Sequence, residues 1–231
     1  MENRGVADSY ATGLRRSLLL SLAAGMLAAI LATGTRLAGW AYGGSVAPPP
    51  SPEISPTAAR SLQEKIRLLS MPPSKAARLD PVVVTEAETN SYLKYNGHEF
   101  LPPGVDDAAI HIARDHISGT ADVDFRVLEQ ASKSDDWGAR MLAMAFQGKQ
   151  RLSAVGRLET GGGQGKVTIQ DVRVGTWAVP DALTSFLLEN YVQKRYRIDI
   201  SKPLNLPDHV TRIELGSGNA TFYRSSNKIR N

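Results

Sequence analysis

Strict alternation is the feature that most restricts what this chain can fold into. In "GVDDAAIHIARDHISGTADVDF" (Gly104–Phe125), Ala108, Ile110 and Ile112 are separated by single polar residues or alanine. After a short break the pattern resumes as Ile117, Gly119, Ala121, Val123 and Phe125. A period of two places these side chains on one face of a β-strand and leaves the other face wet. With the turn at Arg114-Asp115, Ile112 faces Ile117, Ile110 faces Gly119 and Ala108 faces Ala121. That register keeps both apolar sets on one side, and a slip of one residue destroys it.

Two further hairpins follow the same rule. Leu152, Ala154, Gly156 and Leu158 alternate, "TGGGQGK" turns, and Val167 and Ile169 alternate back. The phase then shifts by one, to Val172 and Val174, which a β-bulge near Gln170-Asp171 explains and which bends the sheet. Near the C-terminus Ile213 and Leu215 lead into "GSGN", and Ala220 and Phe222 return. Helical segments separate the hairpins. Val82–Val84 is a short β run, and Thr85 with Glu88 forms the T-x-x-E capping box of a helix reaching about Tyr95. Trp137, Met141, Met144 and Ala145 recur at helical spacing, as do Leu183, Phe186, Leu187 and Tyr191 after Pro180. Short links between strands make antiparallel neighbours, so the predicted class is α+β, with no parallel βαβ unit.

The N-terminal third is different. "RRSLLLSLAAGMLAAILATGTR" holds 19 residues without a charge between Arg16 and Arg36. As a helix it rises about 28 Å, close to the hydrocarbon thickness of a bilayer. Arg4, Arg15 and Arg16 precede it, which keeps the N-terminus in the cytoplasm. Trp40 and Tyr42 follow at an interfacial position. The segment reads as a retained anchor or as a cleaved signal with Ala32-Thr33-Gly34 as the site; either way the rest of the chain leaves the cytoplasm. "PPPSPEISP" is an extended stalk. The next helix carries Leu62, Ile66 and Leu69 on one face and Arg60, Glu64, Lys65 and Arg67 on the other, suiting it to pack on the domain or to lie on a membrane surface. The organisation is therefore residues 1–16 cytoplasmic, 17–35 anchor or signal, 36–56 stalk, 57–78 amphipathic helix, 79–224 folded domain and 225–231 basic tail.

Composition removes several functions. The chain has no cysteine, which excludes disulfides, thiolate metal sites and cysteine nucleophiles. Its 27 basic and 23 acidic residues are interspersed, so it lacks the basic stripe of a nucleic-acid binder. Gly165-Lys166 is followed by Val167 and a strand, not by the Ser/Thr and helix of a phosphate loop. His111, His116 and Asp115 are few ligands on a strand face that is ordinarily solvated. No Gly-x-Ser-x-Gly turn accompanies the scattered Ser, His and Asp residues. No catalytic residue, metal site or cofactor is assigned. What stands out is the set of small residues Gly119, Ala121, Ala154 and Gly156 on the inward faces of two hairpins. They permit either very close packing against a core or a ligand above the sheet.

The segments "VVVTEAETNSYLKY", "FLPPGVDDAAIHIARDHISGTADVDF", "AVGRLETGGGQGKVTIQDVRVGTWAVPDALTSFLL" and "LPDHVTRIELGSGNATF" resemble, in order and spacing, bacterial extracytoplasmic lipid-binding domains of the LmeA type. These are related to the tubular lipid-binding (TULIP) architecture. The resemblance spans about Pro81–Tyr223. It implies a curved antiparallel sheet of hairpins wrapped around helices as a half barrel. It also implies an extracytoplasmic, non-enzymatic protein whose apolar groove takes phospholipid or other acyl chains. The N-terminal segment makes this a single-pass inner-membrane chain with a periplasmic C-terminal domain, or a secreted one where the signal is cleaved. The groove lining would come from Ile110, Ile112, Ile117, Ala121, Val123, Phe125, Ala154, Leu158, Val167, Ile169, Leu183, Phe186 and Leu187, with Trp137 and Met141 near its mouth. The alternative is an envelope scaffold or assembly adaptor with a packed core and no ligand.

Overall fold

The structure is a computed structural model that describes residues 53–71, 79–131, 144, 146, 148–187, 202–206 and 209–225. The expected anchor or signal segment, the stalk through Pro52, the groove-mouth residues Trp137 and Met141, and the tail from Ser226 lie outside the described residues. So do the side chains of Leu183, Phe186 and Leu187. Among the described residues no helix is long and apolar enough to cross a membrane.

The class is α+β and every strand pairing is antiparallel. Helix α1 (Pro56–Ser70) comes first, then β1 (Val82–Thr85) and α2 (Glu86–Asn96) with a short 3-10 turn at Gly97–Glu99. Strands β2 (Val105–Ile112) and β3 (Ile117–Asp124) lead into α3 (Phe125–Ala131). After them come β4 (Lys149–Gly161), β5 (Gln164–Val174), β6 (Trp177–Ala178), α4 (Asp181–Leu187) and β7 (Leu204–Asn205). Strands β8 (Val210–Leu215) and β9 (Asn219–Arg224) close the order. The strands do not make the one continuous sheet that the resemblance implies. They divide into a larger sheet, β2-β3-β4-β5-β6 with β7 also on β5, and a smaller one, β1-β9-β8. The "VVV" run is thus the edge partner of the C-terminal hairpin, a pairing too distant in sequence for local pattern to reveal.

Two of the three registers are as the alternation predicts. Gly156 pairs with Ile169 and Val155 with Asp171, so Gln170 is the extra residue of a bulge. The β4–β5 turn is Gly162-Gly163, with φ of 59° and 82°. Positive φ at both central residues is the primed geometry that matches strand twist, and glycine adopts it without a Cβ clash. In the C-terminal hairpin, Ile213 faces Phe222 and Leu215 faces Ala220. The first hairpin needs a correction. Ile112 does face Ile117 and Ile110 faces Gly119, but the register breaks between Asp106 and Ala109, and Asp106 faces Asp122. Asp107, at φ 45°, is accommodated in that irregularity. Ala108 therefore does not pair with Ala121, and beyond the bulge Val105 meets Val123 instead.

The small sheet is covered by α1. Ser55 is its N-cap, accepting from the Ala58 amide at 3.1 Å, and Pro56 supplies the first helical position. Leu62, Ile66 and Leu69 pack with Val82, Val84, Tyr92, Val210, Ala220 and Phe222. Burying the three α1 side chains contributes roughly 5–9 kcal/mol at about 1.5–3 kcal/mol each. This is the packed-helix alternative; Leu62, Ile66 and Leu69 face protein.

The Thr85–Glu88 capping box forms as expected, with the Thr85 hydroxyl accepting from the Glu88 amide at 3.2 Å and the Glu88 carboxylate accepting from the Thr85 amide at 2.8 Å. The carboxylate's other oxygen accepts from Ser61 and Lys65 of α1. One buried glutamate thus starts α2 and fastens α1 to it. Burial acts to raise its pKa, but the Lys65, Ser61 and Thr85 hydrogen bonds outweigh that and hold the carboxyl below the ordinary glutamate value.

Side chains and turns seal strand edges that would otherwise pair with another chain. The Asn90 carboxamide accepts from the Ile110 amide at 2.7 Å and donates to the Ile110 carbonyl at 2.8 Å, replacing a neighbouring strand. Glu86 accepts from the Ile112 amide at 2.9 Å, and the Gly218 amide donates to the Ile112 carbonyl at 2.8 Å. Gly218, at φ 74°, also accepts from the Glu86 amide, so the β8–β9 turn ties the small sheet to both α2 and β2. On the other side Thr160, at the tip of β4, accepts from the Ile213 amide at 2.8 Å and donates to the Ile213 carbonyl at 2.7 Å. The two sheets are thereby joined into one body.

Candidate functional site

The alternating residues converge on one face of the larger sheet. Across the strands, Ile110, Gly119, Ala154 and Val172 form one row, and Ile112, Ile117, Gly156 and Ile169 the next. Ala121, Leu152 and Val174 form a third, and Leu158 faces Val167 beyond. Nine of the predicted lining residues are therefore brought together here: Ile110, Ile112, Ile117, Ala121, Val123, Ala154, Leu158, Val167 and Ile169. Most are buried, with Ile112 and Ala121 at 1% exposure and Ala154 at 3%; Ile117, Leu158 and Val167 are half-buried.

The small residues are not scattered over this face. They run diagonally from Ala121 through the facing pair Gly119–Ala154 to Gly156. The outer strands carry Ile110 and Ile112 on one side and Ile169, Val172 and Val174 on the other. Three strand spacings, about 14 Å, separate these rims. The bulky outer strands and the glycine–alanine centre leave a diagonal line of small side chains across this face, flanked by Ile117 and Leu152.

Phe125, the remaining predicted lining residue, lies at one end of this face. It is the first residue of α3 and 3% exposed. Its ring meets Phe146 at 5.1 Å between centroids, and Phe146 meets Trp177 at 5.3 Å. Trp177 is 44% exposed. Sequence reasoning missed Trp177, although a tryptophan directly after the Gly175 turn of an alternating strand is a visible signal. It also missed Asn90 and Glu86, whose roles depend on a strand edge that no local pattern marks.

A separate cleft of about 590 Å³ opens between α2 and β2. Leu93, Lys94 and His98 line one wall and Val105, Asp107 and Ala108 the other. It lies off the diagonal of small residues but shares Ile110 with its rim, and its lining is mixed. The two histidines of the first hairpin have ordinary partners: His111 is 2.9 Å from Glu86, and His116 is 2.7 Å from Asp115. The His116 contact, opposed by slight desolvation, holds the Asp115 carboxyl below its usual range. Among the described residues no three metal-ligating side chains come together.

No family model matches this chain, and no curated protein matches it.

Proposed function

We propose that this chain is a membrane-anchored periplasmic protein that binds phospholipid or other acyl chains, without catalysis, along the apolar face of its larger sheet. In this reading the larger sheet, which is open and not curled into the half barrel that the resemblance implies, offers its apolar face as the platform for the acyl chain. The observation that carries it is the diagonal of Ala121, Gly119, Ala154 and Gly156 between rims of isoleucine and valine. A sheet face meant only for a core gains by filling its centre; leaving four small side chains in one continuous line makes room for a chain-shaped apolar guest. Each methylene taken from water contributes about 0.8 kcal/mol. Such a guest is recognised by length and shape more than by headgroup.

A second reading, an envelope scaffold or assembly adaptor with a packed core, is favoured by the 1–4% exposure of Ile110, Ile112, Ala121 and Ala154. Ala121→Leu and Ala154→Leu separate the two in the full-length chain purified in a mild detergent. A lipid-bearing furrow accepts the added bulk and loses co-purified lipid. A dry core carries no lipid to lose and is destabilised by about 1–3 kcal/mol through overpacking.

A further inference from the structure

We propose that the cleft between α2 and β2 binds a short apolar peptide with both ends free, its carboxylate on the α2 side and its ammonium on the β2 side. The cleft holds about 590 Å³, within the range of small-ligand sites. It meets the apolar face of the larger sheet at Ile110. Ser118 and Thr120, which also line it, alternate with Gly119 and Ala121, so it opens toward the other side of the strands. It can therefore take a ligand whether or not the apolar face holds a lipid. Its frame is tied at both ends. The Asn90 carboxamide holds both backbone groups of Ile110, and Glu86 holds the Ile112 amide, fastening α2 to the edge of β2. At the other end the Leu101 amide donates to the Gly97 carbonyl at 2.7 Å and the Val105 amide to the Pro102 carbonyl at 3.2 Å, fixing the connection from α2 to β2. Walls held in this way keep the space between them open.

The polar groups left uncommitted stand on opposite walls and carry opposite signs. Lys94 and His98 line the α2 side, and neither has an ion-pair partner among the described residues. On the β2 side Asp106 is engaged by Lys149 at 3.1 Å, whereas Asp107 beside it feels Lys149 only at longer range. The remaining acid, Glu86, is taken up by the Ile112 amide and by His111, each at 2.9 Å. Lys94 and Asp107 thus border one space without closing on each other. That balance suits a neutral zwitterion and disfavours a ligand of single sign. Asp107 is held at φ 45° by the register break in β2. Aspartate tolerates this left-handed conformation better than most residues, and strained backbone of this kind occurs at ligand clamps. Between the charges Leu93, Leu101, Val105 and Ala108 offer apolar surface. The Ser118 hydroxyl, without a partner among the described residues, is free to bond a peptide group. An extended peptide separates its end charges by about 3.3 Å per residue, so it can serve two walls that Lys94 and Asp107 do not bridge directly.

The test is calorimetric titration of leucyl-leucine into the full-length chain in mild detergent. A ligand of this size should bind with a Kd on the order of 0.1 mM. N-acetyl-leucyl-leucine lacks the ammonium and leucyl-leucine amide lacks the carboxylate, so each should bind about tenfold more weakly. Two variants assign the charges to the walls. Asp107→Asn should weaken leucyl-leucine about tenfold and leave the acetylated peptide unaffected. Lys94→Met should do the same and leave the amide unaffected. Both side chains are exposed, so both variants should melt like wild type. Glycerophosphoethanolamine carries the same two charges on a phospholipid headgroup without an apolar body, and should bind more weakly than the dipeptide. Tighter binding of the headgroup overturns the peptide as ligand. No binding at about 5 mM leucyl-leucine, well above the expected Kd, overturns the site. So does equal binding of the blocked peptides, or wild-type affinity in both variants. All of these results are independent of lipid on the apolar face, which solvent extraction reads separately.

Discussion

Glu88 offers the most detailed test of how this domain is held together. Its side chain is 10% exposed, and its two oxygens take hydrogen bonds from the Thr85 amide and hydroxyl and from Ser61 and Lys65. Glu88→Gln keeps the shape but turns one acceptor oxygen into an NH2 group, which must face either the Thr85 amide or the Lys65 ammonium, both donors. Hydrogen bonds to a charged group contribute about 1.5–3 kcal/mol, and a donor left unpaired in a buried site costs about as much. Lys65, at 28% exposure, recovers part of its hydration, so the expected destabilisation is about 2–3 kcal/mol, below the 3–5 of a fully buried pair. Lys65→Met, which keeps the stem's packing and leaves Glu88 its other donors, should cost about 1 kcal/mol. In urea titrations of the full-length chain, Glu88→Gln lowers the midpoint by about 1 M, taking a slope of roughly 2 kcal/mol per molar. The same group gives a pH signature. Because folding lowers its pKa from 4.5, its contribution is present above that value and is lost as pH falls through the folded pKa. Wild type therefore loses stability below about pH 4.5 more steeply than Glu88→Gln does. Equal midpoints for Glu88→Gln and Lys65→Met, or parallel acid limbs for Glu88→Gln and wild type, would refute the latch.

Other expectations follow from the edges and turns. Asn90→Ala strips both partners from the Ile110 backbone at a position 6% exposed; it should cost about 2–4 kcal/mol, and hydrogen exchange should show the Ile110 amide losing its protection. Asn90→Asp keeps the acceptor and loses the donor, so it falls between alanine and wild type. At Gly162, φ is 59° and an added Cβ meets nothing within 4 Å. Gly162→Ala should therefore cost only the backbone term, about 1 kcal/mol by thermal melting, and Gly162→Asn less, since asparagine tolerates this conformation.

Local physics made much of this molecule readable. The Gln170 bulge was legible because Ile169 and Val172 break an otherwise even alternation, and a phase break in a buried strand has few causes. The capping box was legible because Thr85 and Glu88 stand three apart at the head of a helix. The first hairpin carried the same kind of signal, since odd-numbered Val105 and even-numbered Ile110 cannot share a face of a regular strand; with Ala108 and Ala109 both apolar, the alternation absorbed the bulge unnoticed. What stayed hidden depends on distant partners. Nothing near Val82–Val84 announces its pairing with Asn219–Arg224, and that pairing is what divides the strands into two sheets. Helix α2 buries Glu88, Thr89, Asn90 and Ser91 in succession, a run that reads as solvent-facing until the strand edge and the helix it serves are in place.

The lining set shows the same division. Nine of its members were legible because period two assigns a face wherever a strand forms. Whether that face encloses a guest depends on how the layer above it packs, which periodicity does not encode.

The decisive measurement is lipid content. Full-length chain purified in detergent, washed to remove loosely held amphiphile and extracted with organic solvent, should yield phospholipid or fatty acyl species near one per chain, and Ala121→Leu with Ala154→Leu should yield far less. A stable, folded chain that releases none, and acquires none from vesicles, would contradict the account.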